Sequence, residues 1–471
     1  MKGSDAAAAL ATHIGTVIEP MLTRARTHVL QGNDTAAQDC YIEILRIDKT
    51  HRGALLAIGD LALRGGYRDA ARTAFAQAAS AHADDIVPRI TLGNMALEDG
   101  DPQLALIHYV SALAVQPECP QAYQGMARVY AMLGKDDLAG VYREKGFRDH
   151  AMAAREYRGA GEGGDILYLA AATGGNVRLR PWIDDRMSAV TVIYPEYFEP
   201  DAKLPPHRLI VNAIGDADLC GDALTAATKL VARSRAPVIN HPALVKRTGR
   251  EMVARLCAGI ENLVAPETRL RARSDILGDA TLNFPLLIRS PGFHTGHHFV
   301  LVERREMLAE AVATLPGEFL FTIAYLDACG TDGFARKYRV MFVDGRIYPW
   351  HLAISRDWKV HYFTADMAAH AVFRNEERRF LTDMPRVLGA RAMQALESLN
   401  TALGLDYAGV DFALDKDGQV LLFEANAAMT INRLPPDPMW DYRRHAVQTV
   451  QAALQQLLAE SWQFKTDVRL D

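Results

Sequence analysis

Small and aromatic residues recur at a fixed period along the first third of the chain. Alanine returns every 34 residues, at Ala37, Ala71, Ala105 and Ala139. Four positions after each alanine stand Tyr41, Phe75, Tyr109 and Arg143. Gly59 and Gly93 mark a second small-residue position, with Ala25 before them and Ala127 after. Small residues let two helices of a hairpin approach closely, and the aromatic ring fills the gap to the next hairpin.

The clearest copy of the period is residues 88–117, PRITLGNMALEDGDPQLALIHYVSALAVQP. It resembles the tetratricopeptide repeat, with these residues at the positions of its pattern: Leu92-Gly93, Ala105, Tyr109, Ala112 and Pro117. We predict about four repeats over residues 18–153, within a domain of residues 1–155. The outer two are degenerate, as expected of terminal repeats that face solvent. The resemblance implies a concave surface for a peptide or protein partner, and a spacer or self-association module is the alternative.

A glycine-rich stretch, YRGAGEGGDILYLAAATGG, follows the repeats at residues 157–175. Gly159, Gly161 and Gly164 satisfy the G-x-G-x-x-G pattern. A dinucleotide fingerprint must follow a strand and open a helix. These glycines follow a helical repeat and precede the apolar run 166–172, so the context is reversed. We interpret residues 156–164 as a flexible linker.

Alternating strand and helix patterns then predict an α/β region. Strands are predicted at 165–172, 189–193, 208–213 and 236–242, and helices at 222–234 and 249–259. We assign residues 165–245 to a first α/β subdomain, 246–330 to a central subdomain and 331–465 to a C-terminal subdomain. The predicted fold class is therefore multidomain, with an all-α solenoid followed by α/β and α+β structure.

Two carboxylates and an amide interrupt an apolar hairpin near the C-terminus, GVDFALDKDGQVLLFEANAAM, residues 409–429. If Leu414 pairs with Gln419 across the Asp-Gly turn, the side chains of Asp411, Glu424 and Asn426 share one face. The opposite face, predicted to be core, carries Val410, Phe412, Leu421 and Phe423. Oxygen ligands of this kind suit Mg²⁺, and two buried carboxylates facing each other would be costly without a cation. A surface hairpin with solvated acids is the alternative, and the apolar neighbours argue against it.

The Asp…Glu-x-Asn arrangement on adjacent strands resembles the ATP-grasp superfamily, and specifically its glutathione-synthetase-like ATP-binding domain. The resemblance implies that ATP and Mg²⁺ bind, with Asp411, Glu424 and Asn426 as metal ligands. The segment FPLLIRSPGFHTGHHFVLVE, residues 284–303, resembles the family's strand and flexible phosphate loop. Arg289 stands where the family usually has lysine, and Gly292 and Gly296 give the loop its freedom. Its three histidines, His294, His297 and His298, also raise a zinc site as a weaker alternative.

The family pattern implies roles for further residues. The strand EFLFTIAYLDA would present backbone groups at Ala324–Leu326 to adenine, and Asp327 to the ribose. The implied ATP-binding set is Lys246, Arg289, Gly292, Gly296, Tyr325, Leu326, Asp327 and Lys337. Arg289 and Arg339 would act on the phosphoryl group in transfer. Arg433 would bind a substrate carboxylate, and a surface arginine is the alternative there.

The resemblance implies an ATP-dependent carboxylate–amine ligase that forms an acyl-phosphate and releases ADP. The fused repeats suggest a peptide, amino-acid or carrier-presented substrate. A second hypothesis is a repeat-based interaction protein whose ATP-grasp domain binds nucleotide without ligation. A third is phosphotransfer that stops at a phosphorylated product.

Composition limits the other function classes. The chain has 471 residues, 49% of them apolar and 23% charged, and a formal net charge of −5. Neither a basic surface for nucleic acid nor an acidic tail is indicated. The five cysteines are scattered without metal or redox spacing, and we expect them to be reduced. No apolar run approaches the roughly 20 residues that span a bilayer, so no membrane partner and a cytoplasmic location are expected.

Overall fold

The computed structural model describes residues 2–155, 157–159, 164–179, 182–183, 185–293, 296–361, 365–431, 434 and 437–463. Within these ranges it describes the side chains of residues 15–461. The chain divides into two compact units. The first comprises residues 1–151, 156–163 and 185–187, and the second comprises residues 152–155, 164–184 and 188–471.

Eight consecutive helices form the first unit. They are α1 (Lys2–Leu30), α2 (Asp34–Ile47), α3 (Arg52–Gly65), α4 (Arg68–Ala81), α5 (Ile86–Glu98), α6 (Pro102–Val115), α7 (Pro120–Met132) and α8 (Asp136–Phe147). Consecutive helices pack in pairs, which makes four hairpins. The four helical repeats predicted from the 34-residue period are therefore confirmed.

The turn inside each hairpin depends on one glycine. Gly32, Gly66, Gly100 and Gly134 lie between the two helices of successive hairpins, and all four have positive φ, between 67° and 83°. Only glycine adopts this left-handed conformation without steric cost, so it ends the first helix of each pair. These glycines repeat with the same 34-residue spacing as the alanines, a signal that the sequence analysis did not use.

The buried aromatic residues fill the spaces between helices, as the repeat pattern predicts. Phe75 and Tyr109 are 1% and 0% exposed. A Cβ atom placed on Gly59 would lie 2.6 Å from the Phe75 ring, and one on Gly125 would lie 2.2 Å from the ring of Tyr109. Tyr109 belongs to the third hairpin and Gly125 to the fourth, so this contact joins neighbouring repeats.

We predict that Gly125→Ala destabilises the repeat unit. The added methyl group would overlap a fully buried ring, and overpacking of this kind costs about 1–3 kcal/mol. The control is Gly140→Ala in α8, where a Cβ meets nothing within 4 Å and should add about 0.5–1 kcal/mol of helix stability. Thermal unfolding followed by circular dichroism measures both. Equal effects of the two substitutions would contradict the packing described here.

The second unit begins with a five-stranded sheet in the order β1-β3-β2-β4-β5. Its strands are β1 (Met152–Ala154), β2 (Gly164–Leu169), β3 (Ser188–Ile193), β4 (Leu209–Asn212) and β5 (Val238–Ile239). β1 pairs antiparallel to β3, and the other pairs are parallel. The accompanying helices are α9 (Gly221–Val231), α10 (Pro242–Val245), a 3₁₀ turn (Lys246–Thr248) and α11 (Arg250–Leu256). Gly164 opens a strand rather than a helix, so the glycine-rich stretch lacks the dinucleotide-binding context.

A small antiparallel sheet follows, in the order β7-β10-β8-β9. Its strands are β7 (Thr268–Ala272), β8 (Leu286–Arg289), β9 (Phe299–Val302) and β10 (Phe319–Ala324). They pack with α12 (Arg273–Gly278), a 3₁₀ turn (Arg305–Met307) and α13 (Leu308–Thr314) around a separate apolar cluster. The residues between β8 and β9, which include Gly292 and Gly296, are called the glycine loop below.

The third sheet has the order β12-β11-β13-β14-β6. Its strands are β6 (Leu263–Val264), β11 (Ala335–Val343), β12 (Arg346–Ser355), β13 (Tyr407–Leu414) and β14 (Val420–Asn426). The remaining elements are α14 (Ala371–Thr382), α15 (Met384–Leu403), a 3₁₀ helix (Pro438–Arg443) and α16 (Arg444–Gln463). With these elements the predicted fold class, an all-α repeat array followed by α/β and α+β structure, is confirmed. The predicted subdomain boundaries stay a prediction, and β6 pairs with β14 although it falls in the range 246–330.

Apolar side chains cover both faces of the third sheet, so its central strands lie in low-dielectric surroundings. Val340, Met341 and Phe342 in β11 are fully buried. Alternate residues pack into two different apolar clusters, one with α14 and α15 and the other with α16. A charged side chain in the middle of these strands therefore requires a charged or hydrogen-bonding partner.

No helix in the described ranges is long and apolar enough to cross a membrane.

Candidate functional site

The hairpin of β13 and β14 places the three predicted metal ligands on one face. Asp411 lies directly opposite Glu424, and Gly409 lies opposite Asn426. The predicted pairing of Leu414 with Gln419 is wrong, because Leu414 pairs with Val420. Between the pairs Phe412–Leu422 and Asp411–Glu424, strand β14 has one extra residue, which forms a β-bulge. The bulge leaves Phe423 without a cross-strand partner. Phe423 is 36% exposed, so its predicted place in the core is also wrong, while Val410, Phe412 and Leu421 are buried.

Asp411 is bound by two cations from the neighbouring strand β11. Arg339 pairs with Asp411 across the strands, and its Nε and Nη2 atoms donate to the two carboxylate oxygens. The Lys337 Nζ atom lies 3.0 Å from Oδ2 of the same carboxylate. The Asp411 side chain is 4% exposed. Burial alone would raise the pKa of Asp411, but Arg339 and Lys337 hold it well below its usual range.

The row of polar side chains continues across four strands of the sheet. His351 on β12 faces Arg339, Arg339 faces Asp411, and Asp411 faces Glu424. Burial, and then the nearby Arg339, lowers the pKa of His351 well below its usual value. His351 is therefore neutral at physiological pH, and the ionic part of the row is confined to β11, β13 and β14.

Glu424 is bound by Arg250, a residue that the sequence analysis did not select. The Nη2 atom of Arg250 donates to Oε1 of Glu424 at 2.8 Å, and its Nη1 atom donates to Asp218 at 2.7 Å. Burial raises the pKa of Asp218, which Arg250 partly offsets. Arg250 begins α11, and Asp218 follows the carboxyl end of the parallel strand β4. Side chains at that end of a parallel sheet commonly form ligand sites.

Together, three carboxylates and three cations form one charge cluster: Asp218, Asp411, Glu424, Arg250, Lys337 and Arg339. The two carboxylates of the hairpin have counter-charges from the chain itself, so their burial does not by itself demand a metal ion. Within the described residues, no group of three or more histidine, cysteine or acidic residues could hold a metal.

The donor atoms nevertheless fit a hard cation in part. Glu424 is 27% exposed, and it provides carboxylate oxygens on the same face as Asn426. The Oδ1 atom of Asn426 accepts a hydrogen bond from the backbone N–H of Ala428 at 2.9 Å. Carboxylate and amide oxygens are suitable ligands for Mg²⁺. Metal binding by Asp411, Glu424 and Asn426 stays a prediction.

Arg289 ends β8 and is bound within the glycine loop. Its Nη2 atom donates to the carbonyl oxygen of Phe293, and its guanidinium lies 5.4 Å from the centre of the Phe299 ring. Burial, with a contribution from Arg250, lowers the pKa of Arg289 to about 10, so it stays charged at neutral pH. Gly292 and Gly296 have φ of 77° and 76°, a conformation that favours glycine.

The other predicted residues are more dispersed. Lys246 is exposed, and its Nζ atom donates to the Thr225 hydroxyl at 2.6 Å. Tyr325, Leu326 and Asp327 follow the end of β10, where the Asp327 carboxylate accepts the backbone N–H of Cys329. The roles predicted for all four residues stay predictions. Arg433 and His294 lie outside the described residues.

Solved structures resemble the two units separately. The N-terminal part is similar to the MamA protein, with 22% identity over 28% of this chain and 71% of that one and a TM-score of 0.26. It is also similar to a tetratricopeptide repeat protein from Parabacteroides merdae, with 20% identity over 28% of this chain, 53% of that chain and a TM-score of 0.27. A RimK domain ATP-grasp protein from Sphaerobacter thermophilus shares 17% identity over 62% of this chain and 98% of its own, with a TM-score of 0.38.

Both resemblances predicted from the sequence thus recur among solved structures. Similarity at this level carries no conclusion about the fold or the activity of this chain. No protein-family model matches the sequence. A search of curated proteins gives no significant match.

We predict that Arg339→Met lowers the free energy of unfolding at neutral pH by about 3–5 kcal/mol, because it leaves the buried Asp411 carboxylate with only Lys337. Arg346→Met, on the exposed start of β12, should change it by no more than about 0.5 kcal/mol. Urea unfolding of the parent and both variants provides the comparison.

The pH dependence gives a second test of the same substitution. Asp411 has a depressed pKa in the folded parent, so its contribution is complete above the unfolded-state pKa of about 3.9 and is lost as pH falls below it. The difference between the parent and Arg339→Met should therefore shrink below about pH 4. A difference that stays constant down to pH 3 would contradict the pairing.

Proposed function

We propose that this protein is an ATP-dependent carboxylate–amine ligase that acts through an acyl-phosphate. The supporting observation is the charge cluster, in which Arg339, Lys337, Asp411, Glu424 and Arg250 converge from separate elements of the second unit. Cations and oxygen ligands in one water-restricted place suit a reaction that moves a phosphoryl group.

In the proposed reaction, a substrate carboxylate oxygen attacks the γ-phosphorus of ATP, and the bond to the β,γ-bridging oxygen breaks to release ADP. An amine then attacks the acyl carbon, phosphate leaves, and the amine loses a proton. The protein provides no covalent nucleophile in this scheme. It contributes alignment of the reactants and neutralisation of charge.

Each part of the site has a role in this proposal. Arg339 and Arg289 would stabilise the transferring phosphoryl group, and Lys337 would contact a phosphate oxygen. The glycine loop, through Gly292 and Gly296, would cover the phosphates and exclude water from the acyl-phosphate.

A Mg²⁺ ion held by Asp411, Glu424 and Asn426 would neutralise the phosphate oxygens. The backbone of Tyr325 and Leu326 would bind adenine, and Asp327 would bind the ribose. Lys246 would contact ATP further along the site, and Arg433 would bind the substrate carboxylate.

A second candidate function is nucleotide binding without ligation in a repeat-based interaction protein. Its supporting observation is that Arg339 and Lys337 are already bound by Asp411, while Arg289 donates to its own loop. Cations with such partners would have to rearrange before they contact a phosphoryl group.

Under either candidate, we infer that the repeat unit recruits a peptide or protein. That unit carries a groove of about 460 Å³ lined by Leu45, Lys49, Thr50, Gln77, Ser80 and Ala81.

We expect Glu424→Gln to weaken the Mg²⁺-dependent part of ATP binding. The neutral amide keeps an oxygen but loses the charge that attracts a hard cation. Isothermal titration calorimetry with ATP, with and without Mg²⁺, should show at least a tenfold loss of affinity only when Mg²⁺ is present. Asp417→Asn, in the exposed turn of the same hairpin, is the control and should bind like the parent.

Product analysis separates the candidate reactions. We expect incubation with ATP, Mg²⁺ and pools of amino acids and short peptides to yield ADP and an amide, detected by mass spectrometry. A stable phosphorylated compound with ADP would instead indicate phosphotransfer. ATP binding without turnover of any pool would support the interaction protein, and absence of ATP binding by the parent would refute both nucleotide proposals.

A further inference from the structure

Two buried asparagine side chains connect the first sheet of the second unit to the third. Asn212 ends β4 and Asn240 follows β5, and they are 1% and 0% exposed. The Nδ2 atom of Asn212 donates to the carbonyl oxygen of Asn240 at 2.9 Å. The Nδ2 atom of Asn240 donates to the carbonyl oxygen of Tyr407 at 2.8 Å, and its Oδ1 atom accepts the Tyr407 backbone N–H at 2.8 Å. Polar groups at the carboxyl ends of parallel strands commonly serve ligands, but these two carboxamides bind the chain itself.

The Asn240 carboxamide takes the place of a strand partner for Tyr407, the first residue of β13. Strand β14 ends at Asn426, which lies opposite Gly409, so β14 does not reach Tyr407. Without Asn240, the buried N–H and C=O groups of Tyr407 would lack these hydrogen bonds, which is costly. Asn240 has a φ of 56°, in the left-handed region that asparagine adopts more readily than most residues. The start of β13 is therefore held by a residue 167 positions away in the sequence.

One end of this network reaches residues 427–429, which follow the predicted metal ligand Asn426. The Tyr407 hydroxyl donates to the carbonyl oxygen of Met429. The Ala428 backbone N–H donates to Oδ1 of Asn426 at 2.9 Å, so a displacement of these residues would change the orientation of the Asn426 carboxamide. The network therefore helps to determine how Asn426 is presented to a ligand.

The other end of the network fixes the loop after β4, which carries Asp218. The Oδ1 atom of Asn212 accepts the Ile214 N–H at 3.1 Å, and its Nδ2 atom donates to the Ile214 carbonyl oxygen at 3.4 Å. The next residue, Gly215, lies directly against the segment after β14, because a Cβ atom placed on it would lie 2.7 Å from the Cα atom of Ala428. The loop after β4 and the segment after β14 are thus packed backbone to backbone.

We propose that Asn240 is a positioning residue, which holds Asn426 and Glu424 of the third sheet in place against Asp218 of the first. The inference rests on the proposed ATP and Mg²⁺ site and adds a residue from outside the charge cluster. Asn240 acts through Tyr407, whose backbone it binds and whose hydroxyl binds Met429. Without it the oxygen ligands would be present but poorly oriented for a cation.

The test compares ATP affinity with and without Mg²⁺, by isothermal titration calorimetry, for the parent, Asn240→Gly and Tyr407→Phe. Glycine removes the carboxamide and still adopts the positive φ. We expect Asn240→Gly to weaken ATP binding about tenfold with Mg²⁺ and to leave it unchanged without Mg²⁺. Tyr407→Phe removes only the hydrogen bond to Met429, so its loss should be about threefold and again confined to Mg²⁺. Tyr407→Phe, which keeps the ring, decides the question if Asn240→Gly does not fold.

The matched control is Asn400→Ala. Asn400 is also a buried asparagine, 7% exposed, and its Nδ2 atom donates to the Gly345 carbonyl oxygen at 2.8 Å, in the turn between β11 and β12. Its substitution should lower stability without changing the Mg²⁺-dependent part of ATP binding. Hydrogen exchange followed by mass spectrometry gives a readout that needs no ligand. A peptide that contains residues 427–429 should exchange faster in Asn240→Gly than in the parent or in Asn400→Ala.

The possible outcomes separate this inference from the proposed function. If the parent does not bind ATP, or binds it equally with and without Mg²⁺, the proposed site is refuted and the positioning role falls with it. If the parent shows Mg²⁺-dependent binding and both Asn240→Gly and Tyr407→Phe keep it, only this inference is overturned. Equal losses in Asn240→Gly and Asn400→Ala would make Asn240 a structural residue, which also overturns it. Unchanged exchange of residues 427–429 in Asn240→Gly would contradict the coupling between the two sheets.

Discussion

The pairing of Arg339 with Asp411 is the interaction on which the candidate site depends. Both residues lie in central strands of a sheet that is covered by apolar side chains on its two faces. In such surroundings an unpaired charge is far more costly than a paired one, so each residue fixes the ionisation and orientation of the other. Two further cations neutralise the carboxylates beside this pair. Lys337 completes the neutralisation of Asp411, and Glu424, directly across from Asp411, is neutralised from outside the sheet by Arg250.

Local patterns made the repeat array predictable, because its contacts lie within or between neighbouring hairpins. Tyr109 packs on Gly93 of its own hairpin and Gly125 of the next. Contacts within and between neighbouring hairpins are therefore visible in the sequence as a 34-residue period.

The register of the β13–β14 hairpin was less predictable. Alternation indicates which residues share a face, but the pairing of Leu414 with Val420 shifts the register by one residue, and the bulge shifts it by one more. Glu424 therefore lies directly opposite Asp411. Propensity does not indicate where a bulge falls, since the position of the extra residue depends on packing across the sheet.

Distant charged residues of the site could not be found from the sequence for a different reason. Arg250 is 174 residues from Glu424, and Asp218 is 32 residues from Arg250. Neither stands in a motif, and an isolated Arg or Asp in a sequence has an exposed surface position as its ordinary explanation. One feature of the sequence could have indicated this part of the site. Asp216 and Asp218 follow β4, at the carboxyl end of a parallel strand, where ligand sites commonly form. The partners of these residues become evident only when the tertiary structure brings the strands and helices together.

Charge balance limits how a nucleotide could enter this site. The cluster already contains equal numbers of carboxylates and cations, so added phosphate charge must be matched by an incoming metal ion or by cations released from their present partners. An ion bound to Glu424 and Asp411 would compete with Arg250, Lys337 and Arg339, because these cations now neutralise the two carboxylates. A metal ion and a phosphate would therefore favour each other's binding. In such an exchange the carboxylates would gain a new counter-charge while the released cations became available to the phosphate.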